Sequence, residues 1–445
     1  MPVVVPALRL ELPGTVDPAV AFRALAERHE HLVWADRPAG GPSFLGIALA
    51  EPVVVGTPEP GAFAALLDRL RADLPGPAES PQLGWWGWFG YELGAAAQHV
   101  AAAATDAPAA AFLLAEIGVE FDGTTAAVIA LPAKRAEAEA LAALLSPLVG
   151  VPAPSPAEPA APTWRWRHER AHYLRLIDRC LAAITAGDAY QLCLTNRITA
   201  DLPAPLDPVD VLLRLRDDGP LAGAGIVRIA GWTLVSASPE TALVLDADGR
   251  ATSRPIKGTR PRDPDPDRDR ALAEALRADE KERAENLMIV DLVRNDLARV
   301  ARTGSVAVPE LLVVESYQAV HQLVSTITAE IVGEPFDVVR SLLPVGSMTG
   351  APKHAAMRLL AALEAGPRDV YAGAWGRLGV DGTIALSVVI RSVLLHGTTA
   401  TIGTGGGITI LSDPAAEWRE VELKAARMLR AIGVRDPFPP RDPPG

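Results

Sequence analysis

Three short polar turns constrain this chain more than any other feature. Asp248-Gly249, Asp381-Gly382 and His396-Gly397 each separate two short apolar runs, 242–245 from 251–255, 372–380 from 384–391, and 392–395 from 400–404. Turns this tight join neighbouring antiparallel strands. Parallel strands need long crossovers, so a doubly wound nucleotide fold is excluded here. Leu174, Ile177, Leu181 and Ile184 recur at helical spacing, and further helices are expected at 267–302, 351–365 and 414–432. Strands joined by hairpins, with helices between them, indicate an α+β chain.

Its 445 residues, 49% hydrophobic, can bury a large core, and two cysteines, Cys180 and Cys193, leave no disulfide framework. The first residues, Met1-Pro2-Val3-Val4-Val5-Pro6, carry no basic leader, and no stretch is apolar enough to span a bilayer. A cytoplasmic protein is expected. The net charge of −12 disfavours nucleic acid and anionic membranes as partners. It also means that an anionic substrate needs local cations.

The 95–111 stretch is alanine-rich and reads as an excursion, and 146–163 is a Pro/Ala-rich connector. These divide the chain into an N-terminal region (1–163), a larger C-terminal domain (164–435) and a Pro-rich, unordered tail (436–445).

Chemistry concentrates in the larger part. Lys257 lies in Pro255-Ile256-Lys257-Gly258-Thr259. Burial and neighbouring cations lower an amine's pKa and make it a nucleophile. Alone, such a lysine is an ordinary turn residue. Glu240 begins the hairpin that leads to it, so a carboxyl acid/base can meet the amine. Glu282 and Glu285 share one helix face, and Glu417 and Glu420 another, with Lys424 one turn on. Two facing carboxylate ridges without His or Cys suit Mg²⁺; either ridge alone is an ordinary solvated face. The run 346–353 leads into a helix whose first amides can hold a carboxylate. Gly405-Gly406-Gly407 follows a strand, and composition also fits a flexible connection. Arg391, at a strand end, can hold a carboxylate in bidentate fashion. His321 and Ser325, four apart, share a helix face, and Gln191 is a buried amide or a substrate contact.

Together these residues resemble the chorismate-utilising enzymes. The resemblance runs from about residue 165 to 430 and includes Tyr190-Gln191, Ser238-Pro239-Glu240, Pro255 to Thr259, Ala284-Glu285-Asn286, Arg294-Asn295-Asp296-Leu297, His321 to Ser325, Gly350-Ala351-Pro352-Lys353 and Gly405 to Gly407. Before it, only Gly84-Trp85-Trp86-Gly87-Trp88-Phe89-Gly90-Tyr91-Glu92 is similar, and that run also fits an aromatic core strand.

The resemblance implies an antiparallel β-sandwich with helices outside, shared by both halves of the chain. It implies Lys257, Glu240 and His321 as catalytic residues. Gln191, Gly258, Thr259, Thr349, Gly350, Tyr371, Arg391, Gly405, Gly406, Gly407 and Lys424 would surround the substrate. Glu285 and Glu420 would bind Mg²⁺, with Glu282 and Glu417 acting through water or as outer partners.

Within the family, anthranilate synthases have alanine where this chain has Lys257 and histidine where it has Asn286. Isochorismate and salicylate synthases carry a water-activating lysine where this chain has Gln191. The implied reaction is therefore amination of chorismate at C4, through a covalent Lys257 intermediate, toward para-aminobenzoate and folate. Neither cysteine sits in a glycine-flanked nucleophile elbow, so ammonia is expected from a separate glutaminase subunit. The alternatives are amination at C2, giving anthranilate or 2-amino-2-deoxyisochorismate, and a non-catalytic chorismate-binding subunit.

The family commonly has aspartate at the position of Ala385. Feedback-inhibited relatives have Leu-Glu-Ser near Val33-Trp34-Ala35-Asp36-Arg37 and Asn-Pro-Ser-Pro-Tyr near Asp217 to Leu221. Their absence here predicts no tryptophan feedback, which a drop in activity at micromolar tryptophan would refute.

Overall fold

The computed structural model describes residues 5–36, 42–80, 82–101, 103–216 and 223–438. Apart from a small parallel pair, Val5–Pro6 with Ala78–Glu79, the described strand pairings are antiparallel. One layer runs from Thr163–Trp166 through Gln191–Asp201, Thr399–Ile408, Ser392–His396, Trp232–Ser238, Gly223–Ile229, Leu32–Asp36 and Ser43–Ala48 to Ala110–Phe121. That last strand changes layer. Its C-terminal half pairs with Ser43–Ala48, and its N-terminal half pairs with Gly84–Phe89. The second layer continues through Ala374–Gly379, Ile384–Val388, Thr241–Leu245, Arg250–Arg254 and Val320–Glu330.

Alternation along each strand builds three apolar zones. Val33, Phe44, Val227 and Leu234 of the first layer meet Trp86, Trp88 and Trp375 of the second. Trp34, Ile226, Val235 and Ile402 face outward onto Phe22, Leu212, Met428 and Leu429 of the helices Pro18–Ala26, Pro208–Arg216 and Pro414–Ala431. Leu243, Ile327 and Leu386 face outward onto Ile289, Val293 and Val339 of Glu280–Ala298 and Pro335–Leu342. Each fully buried leucine-sized side chain is worth ~1.5–3 kcal/mol. The result is the expected antiparallel sandwich covered by helices on both outer faces.

The three hairpins form at the turns named above. Strands from before residue 163 pair directly with strands after it, as in Leu32–Asp36 with Gly223–Ile229 and Gly84–Phe89 with Ala374–Gly379. The connector therefore divides the sequence but not the sheet.

Several local expectations are corrected. The helix expected at 267–302 is two, Pro266–Ala278 and Glu280–Ala298, because Asp279 is extended and caps the second with its own carboxylate. His321 and Ser325 lie on the strand Val320–Glu330, where i and i+4 also share a face. The 403–407 glycines lie inside the strand Thr399–Ile408 rather than after it. The alanine-rich 95–111 stretch ends one helix and begins the long Ala110–Phe121 strand, since small side chains fit a crowded buried strand as well as a loop. The helix Arg170–Thr185 buries Tyr173, Leu176, Ile177 and Cys180, a face rotated from the aliphatic one. Phe438 packs on Trp164 and Trp166, so the tail is anchored to that point. Its remainder, like Arg37 and Asp217 to Leu221, lies outside the described residues.

Candidate active site

Lys257 is aimed by a register shift. Its strand, Ile256–Pro261, pairs with Val320–Glu330, and the register slips between Ile256 and Thr259. A bulge re-aims the side chains within it. Gly258, the next residue, has φ +85, and a Cβ there would sit 2.8 Å from Leu276 and 3.1 Å from Glu282. Only glycine lets the strand turn this close to the carboxylate ridge. Thr259 continues the strand opposite Gln322.

The Lys257 amine donates to the Ser347 carbonyl at 3.3 Å. Glu240, 5% exposed, lies in the same space, with the Ser347 hydroxyl beside it. Burial pushes the Glu240 pKa up, against the pull of Lys257. Lys257 behaves opposite to expectation. Burial acts to lower its pKa, but Cys193, Glu285, Glu240 and Glu420 hold it above the ordinary value. Burial keeps Cys193 a neutral thiol, so the carboxylates carry the effect. The neighbours of Lys257 are acids, which raise its pKa instead of lowering it.

The two carboxylate ridges face each other. Lys281 lies between them, 2.6 Å from Glu417 and 3.6 Å from Glu285. Lys424 pairs with Glu420 at 2.7 Å and donates to the Gly405 carbonyl at 3.0 Å. Arg260 stands 3.6 Å from Glu282. Burial raises Glu285 to about 7, and burial with Glu420 raises Glu282. Lys424 leads the effects that lower Glu420.

The glycine strand forms the floor. A Cβ on Gly407 would lie 2.5 Å from the Gln191 amide nitrogen and 2.9 Å from a Glu285 oxygen. One on Gly406 would lie 3.2 Å from Glu417. Bare backbone is what lets these side chains come so near.

Gln191 is 1% exposed, and neither its amide oxygen nor Glu417 Oε2 has a hydrogen-bond partner among the described residues. Gly350 pairs with Leu192, and the Thr349 carbonyl accepts from the Cys193 amide at 2.9 Å. The Tyr371 hydroxyl, its pKa raised by burial, is within electrostatic reach of Cys193 and Glu240. Arg391, at φ +49, accepts through its carbonyl from Ala237, just before the Glu240 segment.

His321 is 2% exposed, and its ring is held between Ser316 at 2.8 Å and Asp269 at 2.9 Å. Both ring nitrogens are thus engaged, one by Ser316 and one by Asp269. Ser325 donates to Asn286 at 2.6 Å, and Asn286 donates to the Leu323 carbonyl at 3.3 Å. Ala385 sits in the strand Ile384–Val388, opposite Val244 and Arg377.

Lys281 and Ser347 were not singled out from the sequence. Lys281 stands four residues before Glu285, a spacing that signals contact on a helix. Ser347 gave no signal, since its contacts arise from a turn between distant elements.

The carboxylates offer hard oxygen donors, one of them unpartnered, and already enclose an ammonium. That chemistry fits a small divalent cation. Among the described residues, no three His, Cys, Asp or Glu side chains converge as a ready metal cage in this arrangement.

The family model for chorismate binding enzymes matches residues 4–430, so the N-terminal part is included as well. An aminodeoxychorismate synthase of Streptomyces griseus is 41% identical over 98% of this chain and 65% of its own length. One from Streptomyces pristinaespiralis is 40% identical, with 51% of its length covered, so the chain spans roughly half to two thirds of these relatives. Anthranilate synthase component 1 of Streptomyces coelicolor is 34% identical over 96% of this chain and 89% of its own length. The crystal structure of anthranilate synthase component I from Streptococcus pneumoniae superposes with a TM-score of 0.76 at 25% identity, over 93% of this chain and 98% of that one. The chain belongs to the chorismate-binding enzyme family, in the group that includes anthranilate and aminodeoxychorismate synthases.

Proposed function

We propose that this chain aminates chorismate at C4 with ammonia, giving 4-amino-4-deoxychorismate and water. One observation supports it above the rest: an amine, Lys257, and a carboxyl whose pKa burial raises, Glu240, share the space around Ser347. In this mechanism neutral Lys257 bonds to C2, both ring double bonds shift (C1=C2 to C1=C6, C5=C6 to C4=C5), and the C4 hydroxyl leaves. Glu240 gives that hydroxyl its proton, so water departs, and regains one from the new C2 ammonium. Ammonia then bonds to C4, the double bonds return, and the C2–N bond breaks as Glu240 protonates the departing amine, freeing neutral Lys257; Glu240 then takes the surplus proton of the new C4 ammonium. The occupied C2 is what directs nitrogen to C4.

We assign Mg²⁺ to the carboxylate cluster, with Glu285 and Glu420 as direct ligands and Glu282 and Glu417 acting through water. When bound, it would neutralise a substrate carboxylate. Arg391, Lys424, Tyr371 and the Gly405 to Gly407 backbone would hold the remaining polar groups. A glutaminase subunit would supply ammonia, and free ammonia would replace it in vitro. Production of a para-aminobenzoate precursor follows from the C4 reading alone.

A second reading is amination at C2, giving anthranilate or 2-amino-2-deoxyisochorismate. Two observations favour it. The chain matches anthranilate synthase component 1 of S. coelicolor nearly end to end, and its carboxylate neighbours raise the pKa of Lys257. In that reading Lys257 is a cation for a substrate carboxylate.

Chromatography after incubation with chorismate, Mg²⁺ and ammonium separates these. 4-Amino-4-deoxychorismate supports the first reading. Anthranilate or 2-amino-2-deoxyisochorismate establishes the second. Bound but unchanged chorismate would make the chain a non-catalytic subunit.

A further inference from the structure

Lys281 occupies an unusual position for a lysine. It lies in the first turn of Glu280–Ala298, where the helix dipole disfavours a cation. Its ammonium is directed into the carboxylate cluster, 2.6 Å from Glu417 and 3.6 Å from Glu285. The other acids have cations of their own: Glu420 has Lys424 at 2.7 Å, and Glu282 has Arg260 at 3.6 Å. Glu285 and Glu417 share Lys281 among these ion pairs. Both are deeply buried, at 5% and 2% exposure, and Glu417 Oε2 has no hydrogen-bond partner among the described residues. Lys257 also acts on Glu285, but among these ion pairs Lys281 is the cation in direct reach of Glu417, and a buried carboxylate without one is costly.

We propose that Lys281 is a built-in competitor for the divalent-cation site: its ammonium neutralises Glu285 and Glu417 when the site holds no metal and swings out when Mg²⁺ enters. The inference rests on the assignment of Mg²⁺ to this cluster. Its consequence is a metal affinity set partly by a residue that is not a ligand. If the ammonium occupies the cluster about nine-tenths of the time, apparent Mg²⁺ affinity falls about tenfold. The side chain is 27% exposed, which gives it a path outward.

Calorimetric titration with Mg²⁺ of the native chain and of Lys281→Gln, which keeps most of the stem and removes the charge, tests this. The expected result is binding about tenfold tighter in the variant. Equal or weaker binding in the variant overturns the proposal and leaves the Mg²⁺ assignment standing. If neither protein binds Mg²⁺, the assignment itself fails, and the proposal with it. A second measurement needs no variant. Lys281 of the native chain, labelled with a water-soluble acetylating reagent and read by peptide mass spectrometry, should react faster with Mg²⁺ present. Unchanged or slower labelling overturns the proposal even if Lys281→Gln does not fold.

Discussion

Lys257 donates to the backbone carbonyl of Ser347 at 3.3 Å, joining the bulged strand Ile256–Pro261 to the single turn Gly346–Met348. Ninety positions apart in sequence, the two residues place the amine beside Glu240. The contact orients the amine without neutralising it, because a carbonyl brings no charge. The charges around Lys257 come from Glu240, Glu285 and Glu420.

If the amine attacks C2, chorismate without ammonia should leave an adduct of substrate minus water on the chain. Intact-protein mass spectrometry detects it. Lys257→Ala should remove the adduct and lower C4 amination by roughly a thousandfold, ~4 kcal/mol of barrier. C4 amination at the native rate in that variant would end the covalent mechanism.

Gly407→Ala should damage the site more than the fold. Its Cβ would press on side-chain atoms, the Gln191 amide and the Glu285 carboxylate, and both can shift. Loss of Tm is expected to stay within a few degrees, about 1 kcal/mol for a tolerated contact. Chorismate turnover should fall at least tenfold. Full turnover would place the reacting groups elsewhere.

Glu92 makes stability depend on pH. Burial raises its pKa to about 7 from 4.5, with one oxygen accepting from the Arg368 amide at 2.7 Å and the other unpartnered. Between those values the folded state holds a proton that the unfolded chain has lost. This contribution is fully present below pH 4.5 and is lost as pH rises through about 7. It amounts to about 3 kcal/mol. Glu92→Gln should remove the trend, so urea midpoints at pH 5 and pH 8 should lie closer together than in the native chain. An unchanged difference between the two midpoints would refute the assignment.

Asn286 is structural as well as close to the metal ridge. It is fully buried and bonds both Ser325 and the Leu323 carbonyl. Asn286→Ala leaves that hydroxyl and that carbonyl short of a partner and should cost about 2–3 kcal/mol. Chemical denaturation measures it, and a loss below about 0.5 kcal/mol would mean that water replaces both bonds.

Much of this was legible in the chain. Asp-Gly and His-Gly turns marked the hairpins because two-residue connections admit few backbone shapes. The Glu-x-x-Glu pairs marked the ridges because helix geometry places i and i+3 together. What misled was local sense without partners. His321 and Ser325 suited a helix or a strand equally, and the alanines around 95–111 suited a loop until the long strand beside Gly84–Phe89 enclosed them.

The order of residues alone settled which segments could be strands, where they turned back, and which side chains could bind oxygen or protons, since these depend on neighbours a few positions away. The assembled sandwich decided the electrostatics. It set Lys257 among several acids, drew Lys281 to Glu417, 136 residues away, and turned His321 toward Asp269. Charges act through space, and the distances that govern them exist only once the strands have paired.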